Sequence, residues 1–126
     1  MKRTRESGED YLETIYLLKK KNGVVRSVDI ADELGYSRPS ISRAVGILKK
    51  DGCINMAANG ELELTEKGLA MAEEIYDKHT TLTEFLMTTA GVDENTAETD
   101  ACRIEHIISP DTFSGIKKYL KNAKKN

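Results

Sequence analysis

Cys102, Glu105 and His106 stand at i, i+3 and i+4 in Ala101-Cys102-Arg103-Ile104-Glu105-His106. On a helix those positions share one face, so a thiol, a carboxylate and an imidazole project together. Such a donor set suits a divalent transition metal, because thiolate is soft, imidazole intermediate and carboxylate hard. Two other stretches offer further ligands. Asp10 and Glu13 lie at i, i+3, and His79 interrupts an apolar stripe, where a polar ring needs a partner. Both histidines and one of the two cysteines of the chain enter this candidate set. Taken singly, each piece also reads as ordinary structure: solvated carboxylates, a satisfied core histidine, a small apolar thiol. Six candidate ligands exceed the four of structural zinc. They suit one five- or six-coordinate ion or two neighbouring ions.

The apolar periodicity predicts the helices that must hold these side chains. Tyr11, Ile15 and Leu18 mark a first helix from about Ser7 to Lys21, ended by Asn22-Gly23. Ser27 reads as the N-cap of Val28–Leu34, with Ile30, Ala31 and Leu34 inward and Gly35 at the turn. Ser37 caps the next helix and Pro39 sits in its first turn, where a missing N–H costs nothing. Ile41, Val45 and Leu48 face inward there, and Asp51-Gly52 closes it. Two short helices about a glycine turn are helix-turn-helix grammar. Cys53–Met56 and Glu61–Thr65 flank Asn59-Gly60, a hairpin signal, and a hairpin in that place is a wing.

A long helix is expected over Lys67–Thr89, with the stripe Leu69, Ala72, Ile75, His79, Leu82, Leu86. Asp93 caps a helix over Glu94–Ile108 whose stripe is Ala97, Ala101, Ile104, Ile108. Ser109-Pro110 starts a last helix with Phe113, Ile116 and Leu120 inward. The expected fold is therefore mainly α: a winged helix-turn-helix with a short β-hairpin over residues 1–66, then an α-helical domain over 67–126. The second half has small stripes and few aromatics, which predicts burial against a second copy, a homodimer.

With Ile41, Val45 and Leu48 inward, the third helix turns Pro39, Ser40 and Arg43 outward, with Ser37 and Arg38 at its start. Arg43 suits a guanine edge or a phosphate, the serines suit phosphates near the helix N-terminus, and Pro39 suits a thymine methyl. Arg26, Lys49, Lys50 and the basic arm Lys2, Arg3, Arg5 add sequence-independent phosphate attraction. Charge is distributed accordingly. Residues 1–50 carry 11 Lys/Arg against 7 Asp/Glu, and residues 51–126 carry 8 against 14. A polyanion-facing half and a cation-binding half would have this asymmetry. No apolar run approaches the roughly 20 residues of a membrane span, and no apolar segment follows Met1-Lys2-Arg3-Thr4-Arg5 as a secretory signal would require. A cytoplasmic protein with reduced thiols is expected.

The chain resembles the metal-dependent repressors typified by the diphtheria toxin repressor and the manganese transport regulator. The resemblance rests on Glu9-Asp10-Tyr11-Leu12-Glu13-Thr14-Ile15-Tyr16, Val28-Asp29-Ile30-Ala31 with Ser40-Ile41-Ser42, Leu64-Thr65-Glu66-Lys67-Gly68, the helix bearing His79, and the segment around Cys102. It implies a winged-helix DNA-binding domain, a helical dimerisation domain and metal ligands at Asp10, Glu13, His79, Cys102, Glu105 and His106. It also implies that metal fixes the angle between two DNA-binding units. Iron-sensing relatives carry Met where this chain has Asp10, and manganese sensors carry Glu where it has Cys102. The ligand set is thus a hybrid. The cofactor implied is Fe²⁺ or Mn²⁺, with Co²⁺, Ni²⁺ or Zn²⁺ as substitutes in vitro. Thr83 and Glu98 stand where iron-sensing relatives carry Glu and His of an ancillary site. The expected form is two-domain, without the SH3-like third domain.

The expected function is divalent-metal-dependent repression of metal-homeostasis genes, through a double-stranded DNA operator and a homodimer, with no membrane and no small-molecule substrate. A metal-independent or thiol-redox-responsive winged-helix regulator is the alternative. An enzyme is not expected, since no second acid–base pair or glycine-rich phosphate loop accompanies the Cys-Glu-His trio.

Overall fold

The protein is described here by a computed structural model covering residues 2–124, with side chains from Gly8 onward. The side chains of the basic arm and the last two residues of the tail lie outside the described residues. Six helices and two strands run in the order α1 (Lys2–Asn22), α2 (Ser27–Leu34), α3 (Arg38–Lys50), β1 (Ile54–Met56), β2 (Leu62–Leu64), α4 (Glu66–Ala90), α5 (Glu94–Ile104) and α6 (Pro110–Lys124). Two compact units divide the chain, Met1–Glu73 and Glu74–Asn126, so that α4 begins in the first and ends in the second. None of the described helices is long and apolar enough to cross a membrane.

In the first unit the expected stripes are buried: Tyr11, Ile15 and Leu18 of α1, Ile30 and Ala31 of α2, and Ile41, Val45 and Leu48 of α3. Gly35 ends α2 at φ 72° and returns its N–H to the Ala31 carbonyl at 2.8 Å. That left-handed conformation favours glycine and lets α3 start at Arg38, three residues on. One cap differs from expectation. The N-cap of α2 is Arg26, whose backbone N–H donates to the Asp29 carboxylate at 2.9 Å, so Ser27 is the first helical residue. At α3 the Ser37 hydroxyl accepts from the Ser40 N–H at 3.3 Å, as the sequence indicates. The wing is a two-stranded antiparallel hairpin with Ile54 opposite Leu64 and Met56 opposite Leu62. Its inner residues Ile54 and Leu62 are buried, and the Leu62 N–H donates to the Val25 carbonyl at 2.7 Å, tying the hairpin to the segment before α2.

The start of α4 is fastened to the end of α3. The Thr65 hydroxyl donates to the Gly52 carbonyl at 2.6 Å and accepts from the Gly68 N–H at 3.1 Å. Lys67 Nζ donates to the Asp51 carbonyl at 2.9 Å. Gly68 lies flush on this junction, and a Cβ there would collide with the Cys53 carbonyl oxygen. This corrects the expected stripe of α4: Leu69 is exposed, and the residue turned inward at that turn is Gly68.

In the second unit Ile75, Leu82, Ala97, Ala101, Phe113 and Leu120 are buried, while Met87, Ile107 and Tyr119 remain exposed. Phe85 and Tyr119 meet edge to face with ring centroids 5.9 Å apart. Ion pairs from Lys117 to Asp77 at 2.9 Å and from Lys124 to Glu84 at 3.0 Å join α6 to α4. Asp93 caps α5 by accepting from the Thr96 N–H at 2.8 Å, and Ser109 caps α6 by accepting from the Thr112 N–H at 3.1 Å.

Replacing Gly68→Ala should lower stability by about 1–3 kcal/mol, because overpacking against a backbone carbonyl outweighs the ~1 kcal/mol of helix propensity that alanine adds. Thermal unfolding followed by far-UV circular dichroism measures this, and an unchanged or raised midpoint would contradict the close approach. The Asp93 carboxyl is held below its ordinary value, chiefly by the Thr96 backbone N–H. Its charged cap therefore contributes fully above the unfolded-state value, and the contribution fades as pH falls through the lower folded-state value. Asn caps as well as Asp without titrating. Asp93→Asn should match the parent near neutrality and gain on it below about pH 4, which midpoints recorded against pH would reveal.

Candidate metal centre and nucleic-acid interface

Helix α5 brings Cys102 to its last turn and stops at Ile104, short of the expected Ile108. Pro110 disfavours helical backbone at Ser109, and Ser109 has to serve as the N-cap of α6, so the chain leaves the helix early. Glu105 is consequently the C-cap (φ −58°, ψ −25°), with its N–H still on the Ala101 carbonyl at 2.9 Å. His106 follows in a turn. The near-helical backbone preserves the convergence that the spacing implied. Donor atoms of Cys102, Glu105 and His106 lie within 4.8 Å of one another.

His79 of α4 joins them. Its Nδ1 is 2.9 Å from Glu105 Oε1, and its Nε2 is 3.8 Å from Glu98 Oε2. The Glu105 side chain has 0% exposure and stands between two imidazoles, with Oε2 at 3.5 Å from His106 Nε2. That oxygen has no hydrogen-bond partner among the described residues. A carboxylate buried with an unsatisfied oxygen carries a desolvation cost that a cation would offset. Nitrogen, oxygen and sulfur donors gathered around such an oxygen fit a divalent transition metal. Cys102 is exposed, His79 and His106 half-buried, and Glu105 buried, so the cluster grades from solvent to interior. Asp10 and Glu13 belong to the first unit, one turn apart on α1, Asp10 half-buried and Glu13 buried.

In the first unit Arg26, Ser37, Arg38, Pro39, Ser40 and Arg43 are all exposed. The two serines bond to each other, with the Ser37 hydroxyl donating to Ser40 Oγ at 2.9 Å. Arg26 is engaged as well: its Nε donates to the Asn59 carbonyl at 3.3 Å, which ties the start of α2 to the turn of the wing. The Asn59 side chain steadies that turn by accepting from the Glu61 N–H at 3.0 Å. A second tie runs from Lys19 of α1 to Glu63 of β2 at 2.6 Å and to Glu61 at 3.6 Å. Sequence reasoning did not find these two ties, because their partners lie 33 and 44 residues apart with no shared periodicity. The only advance signal was the turn chemistry of Asn59-Gly60.

The N-terminal DNA binding domain of the iron dependent repressors matches residues 3–61, and their metal binding and dimerisation domain matches residues 65–126. The chain is similar to an HTH-type transcriptional regulator of Methanocaldococcus jannaschii, 34% identical over 120 residues that cover 94% of this chain and 96% of that one. It is also 34% identical over 117 residues to the iron-dependent repressor IdeR of Mycobacterium tuberculosis, covering 93% of this chain and 51% of IdeR. Among solved structures it is similar to the manganese regulator SloR, with a TM-score of 0.81 and 27% identity, covering 90% of this chain and 53% of SloR. The chain thus spans nearly all of the Methanocaldococcus relative and about half of IdeR and SloR. A winged helix and a metal-binding helical domain, matched in that order over almost every residue, place this protein in the iron-dependent repressor family of metal-dependent, DNA-binding transcriptional repressors.

Proposed function

We propose that this protein represses metal-homeostasis genes as a cytoplasmic homodimer that binds double-stranded DNA when Fe²⁺ or Mn²⁺ is bound, and that it has no enzymatic activity. The observation that carries the metal reading is the buried Glu105 carboxyl group, flanked by His79 and His106 with one oxygen unsatisfied. His79, Cys102, Glu105 and His106 would hold the ion. Asp10 and Glu13, one turn apart on α1, complete the ligand set on the strength of their family positions. A bound ion would supply the positive charge that the buried Glu105 carboxylate lacks. The chain's own residues do the rest. Residues 1–66 bind DNA through α3, the wing and the surrounding basic side chains, and residues 67–126 bind metal and dimerise. Exposed Met87, Ile107 and Tyr119 support a helical unit that is completed by a second copy. Asp10 with Cys102 in one ligand set supports tolerance of both hard and softer divalent ions.

Because metal shifts DNA affinity only through its different affinity for the two forms, the test measures that coupling. Anaerobic fluorescence anisotropy on the protein's own upstream DNA, in chelator and then in Mn²⁺, Fe²⁺ and Zn²⁺, should show tightening of tenfold or more with one metal, about 1.4 kcal/mol. His106→Ala should fold normally and lose the tightening. Equal binding in chelator and metal would overturn the reading. If that binding were lost on mild oxidation and restored by a thiol, control would pass to the exposed Cys102.

Glu105→Gln separates ligation from stability. The amide keeps an oxygen to accept from His79 and replaces the unsatisfied charged oxygen with an N–H donor facing His106 Nε2, so the chelated protein should unfold at higher temperature, by about 1 kcal/mol of stability. The metal response should vanish in the same variant. A chelated Glu105→Gln protein that melts well below the parent would show that the carboxyl group is already satisfied without metal.

A further inference from the structure

Helices α1 and α3 leave an open cleft between them that encloses about 250 Å³. Ser40, Arg43, Ala44, Ile47 and Leu48 line it from one flank of α3, at the three- and four-residue steps of a helix face. Gly8 and Tyr11 line it from α1, at i and i+3. Tyr11 and Leu48 are buried and form the floor, while Ile47 is exposed at the rim. The Tyr11 ring is fixed by an edge-to-face contact with Tyr36, centroids 5.9 Å apart. Small residues keep the cleft open. A Cβ on Gly8 would meet nothing within 4 Å, so no internal contact requires glycine there, although it is a poor residue for the interior of a 21-residue helix. Ala44 leaves matching room on the α3 side.

Two donors at this cleft are unused. Arg43 is exposed and, among the described residues, makes neither an ion pair nor a hydrogen bond. The Ser40 hydroxyl accepts from Ser37 at 2.9 Å and keeps its own hydrogen to donate. No carboxylate is among the lining residues. An apolar floor with one guanidinium and one hydroxyl converging at its edge is the composition of a small-ligand site. Its chemistry selects the ligand. A bare inorganic anion would leave the apolar floor unused, and a neutral hydrocarbon would leave the guanidinium without a partner. A flat ring bearing a carboxylate uses both, because guanidinium matches carboxylate in a two-point hydrogen-bonded pair. The volume lies below the roughly 300–1,000 Å³ of sites for drug-sized ligands, which suits a single ring.

We propose that the cleft between α1 and α3 binds a small aromatic carboxylate, its ring against Tyr11, Ala44 and Leu48 and its carboxylate on Arg43 and Ser40, and that this ligand competes with DNA. Competition follows from shared side chains: Arg43 and Ser40 belong both to the cleft and to the surface assigned to DNA, so one guanidinium cannot serve both anions. The ligand thus releases the repressor with its metal still bound. Binding in the cleft stands on the cleft alone, whereas the effect on DNA rests on the repressor reading above. By reciprocity DNA weakens the ligand by the same factor.

The probe is benzoate, with benzamide and acetate as controls that lack the charge and the ring. Full-length protein in Zn²⁺, a diamagnetic ion, is titrated and followed by backbone amide NMR. Benzoate should shift Gly8, Ala44 and Ile47 saturably, and neither control should. Arg43→Gln should bind benzoate about tenfold more weakly, or 1.4 kcal/mol. Gly8→Leu, which fills the cleft from α1, should keep or raise the thermal midpoint of the parent and abolish the shifts. Absence of saturable shifts at the cleft, or equal shifts with acetate, would overturn the proposal. In Mn²⁺ and at constant ionic strength, saturating benzoate should weaken binding of the parent to its upstream DNA at least tenfold and leave the DNA affinity of Gly8→Leu unchanged. Benzoate that occupies the cleft without weakening DNA binding would overturn the competition while the repressor reading stands. If the parent shows no metal-dependent DNA binding in the absence of benzoate, the repressor reading falls and the NMR titration still decides the cleft.

Discussion

Glu105 keeps a carboxyl group at 0% side-chain exposure, with one oxygen 2.9 Å from His79 Nδ1 and the other 3.5 Å from His106 Nε2 without a hydrogen bond. A water-excluded carboxylate costs several kcal/mol unless charge or donors surround it, so the second unit is organised around supplying them. Helix α4 must run far enough to deliver His79. Helix α5 must end where Glu105 becomes a C-cap and His106 can turn back toward it. The Asp93 and Ser109 caps set those lengths from either side. Small Ala97 and Ala101, both fully buried, let α5 pack closely enough for the groups to meet. The unit satisfies polar groups at the expense of apolar burial, which is consistent with its thin core and its exposed Met87, Ile107 and Tyr119.

The first unit spends its polar groups differently. Its ties go to fixing loops and strands rather than to a buried centre: Thr65, Lys67 and Gly68 fasten α4 to the end of α3, and Arg26 and Lys19 fasten the wing. The exposed pair Lys19–Glu63 adds little stability by itself. Its effect is positional, since a hairpin with only three residues per strand is marginal alone. The surface left over includes the outward side of α3, where Arg38, Arg43, Lys49 and Lys50 are exposed.

Much of this was legible in one dimension. Caps and breakers act through the backbone of their own neighbourhood, so Ser37, Gly35, Asp93 and Ser109 announced the ends of helices that the structure contains. Burial followed period wherever a whole stripe was apolar, as in Tyr11, Ile15 and Leu18. The structure departs from local signals where two of them compete. Ser27 looked like a cap, yet Asp29 accepts the Arg26 N–H and moves the cap back one residue. Leu69 looked like core, yet the Cys53 carbonyl claims that side of α4 and only glycine fits against it.

For the candidate site, sequence alone determined which residues carry ligand chemistry and that Cys102, Glu105 and His106 come from one turn of chain, because spacing of i, i+3 and i+4 is a property of local backbone geometry. The same holds for the outward side of α3. Only tertiary structure decided that His79, 26 residues from Glu105, is the ring against it, that one Glu105 oxygen is left without a hydrogen bond, and that Arg26 is tied to the wing while Arg43 is not. Those outcomes depend on which elements pack and how much water they exclude. Hydrophobic burial, which drives that packing, is non-directional and leaves no mark in the spacing of polar residues.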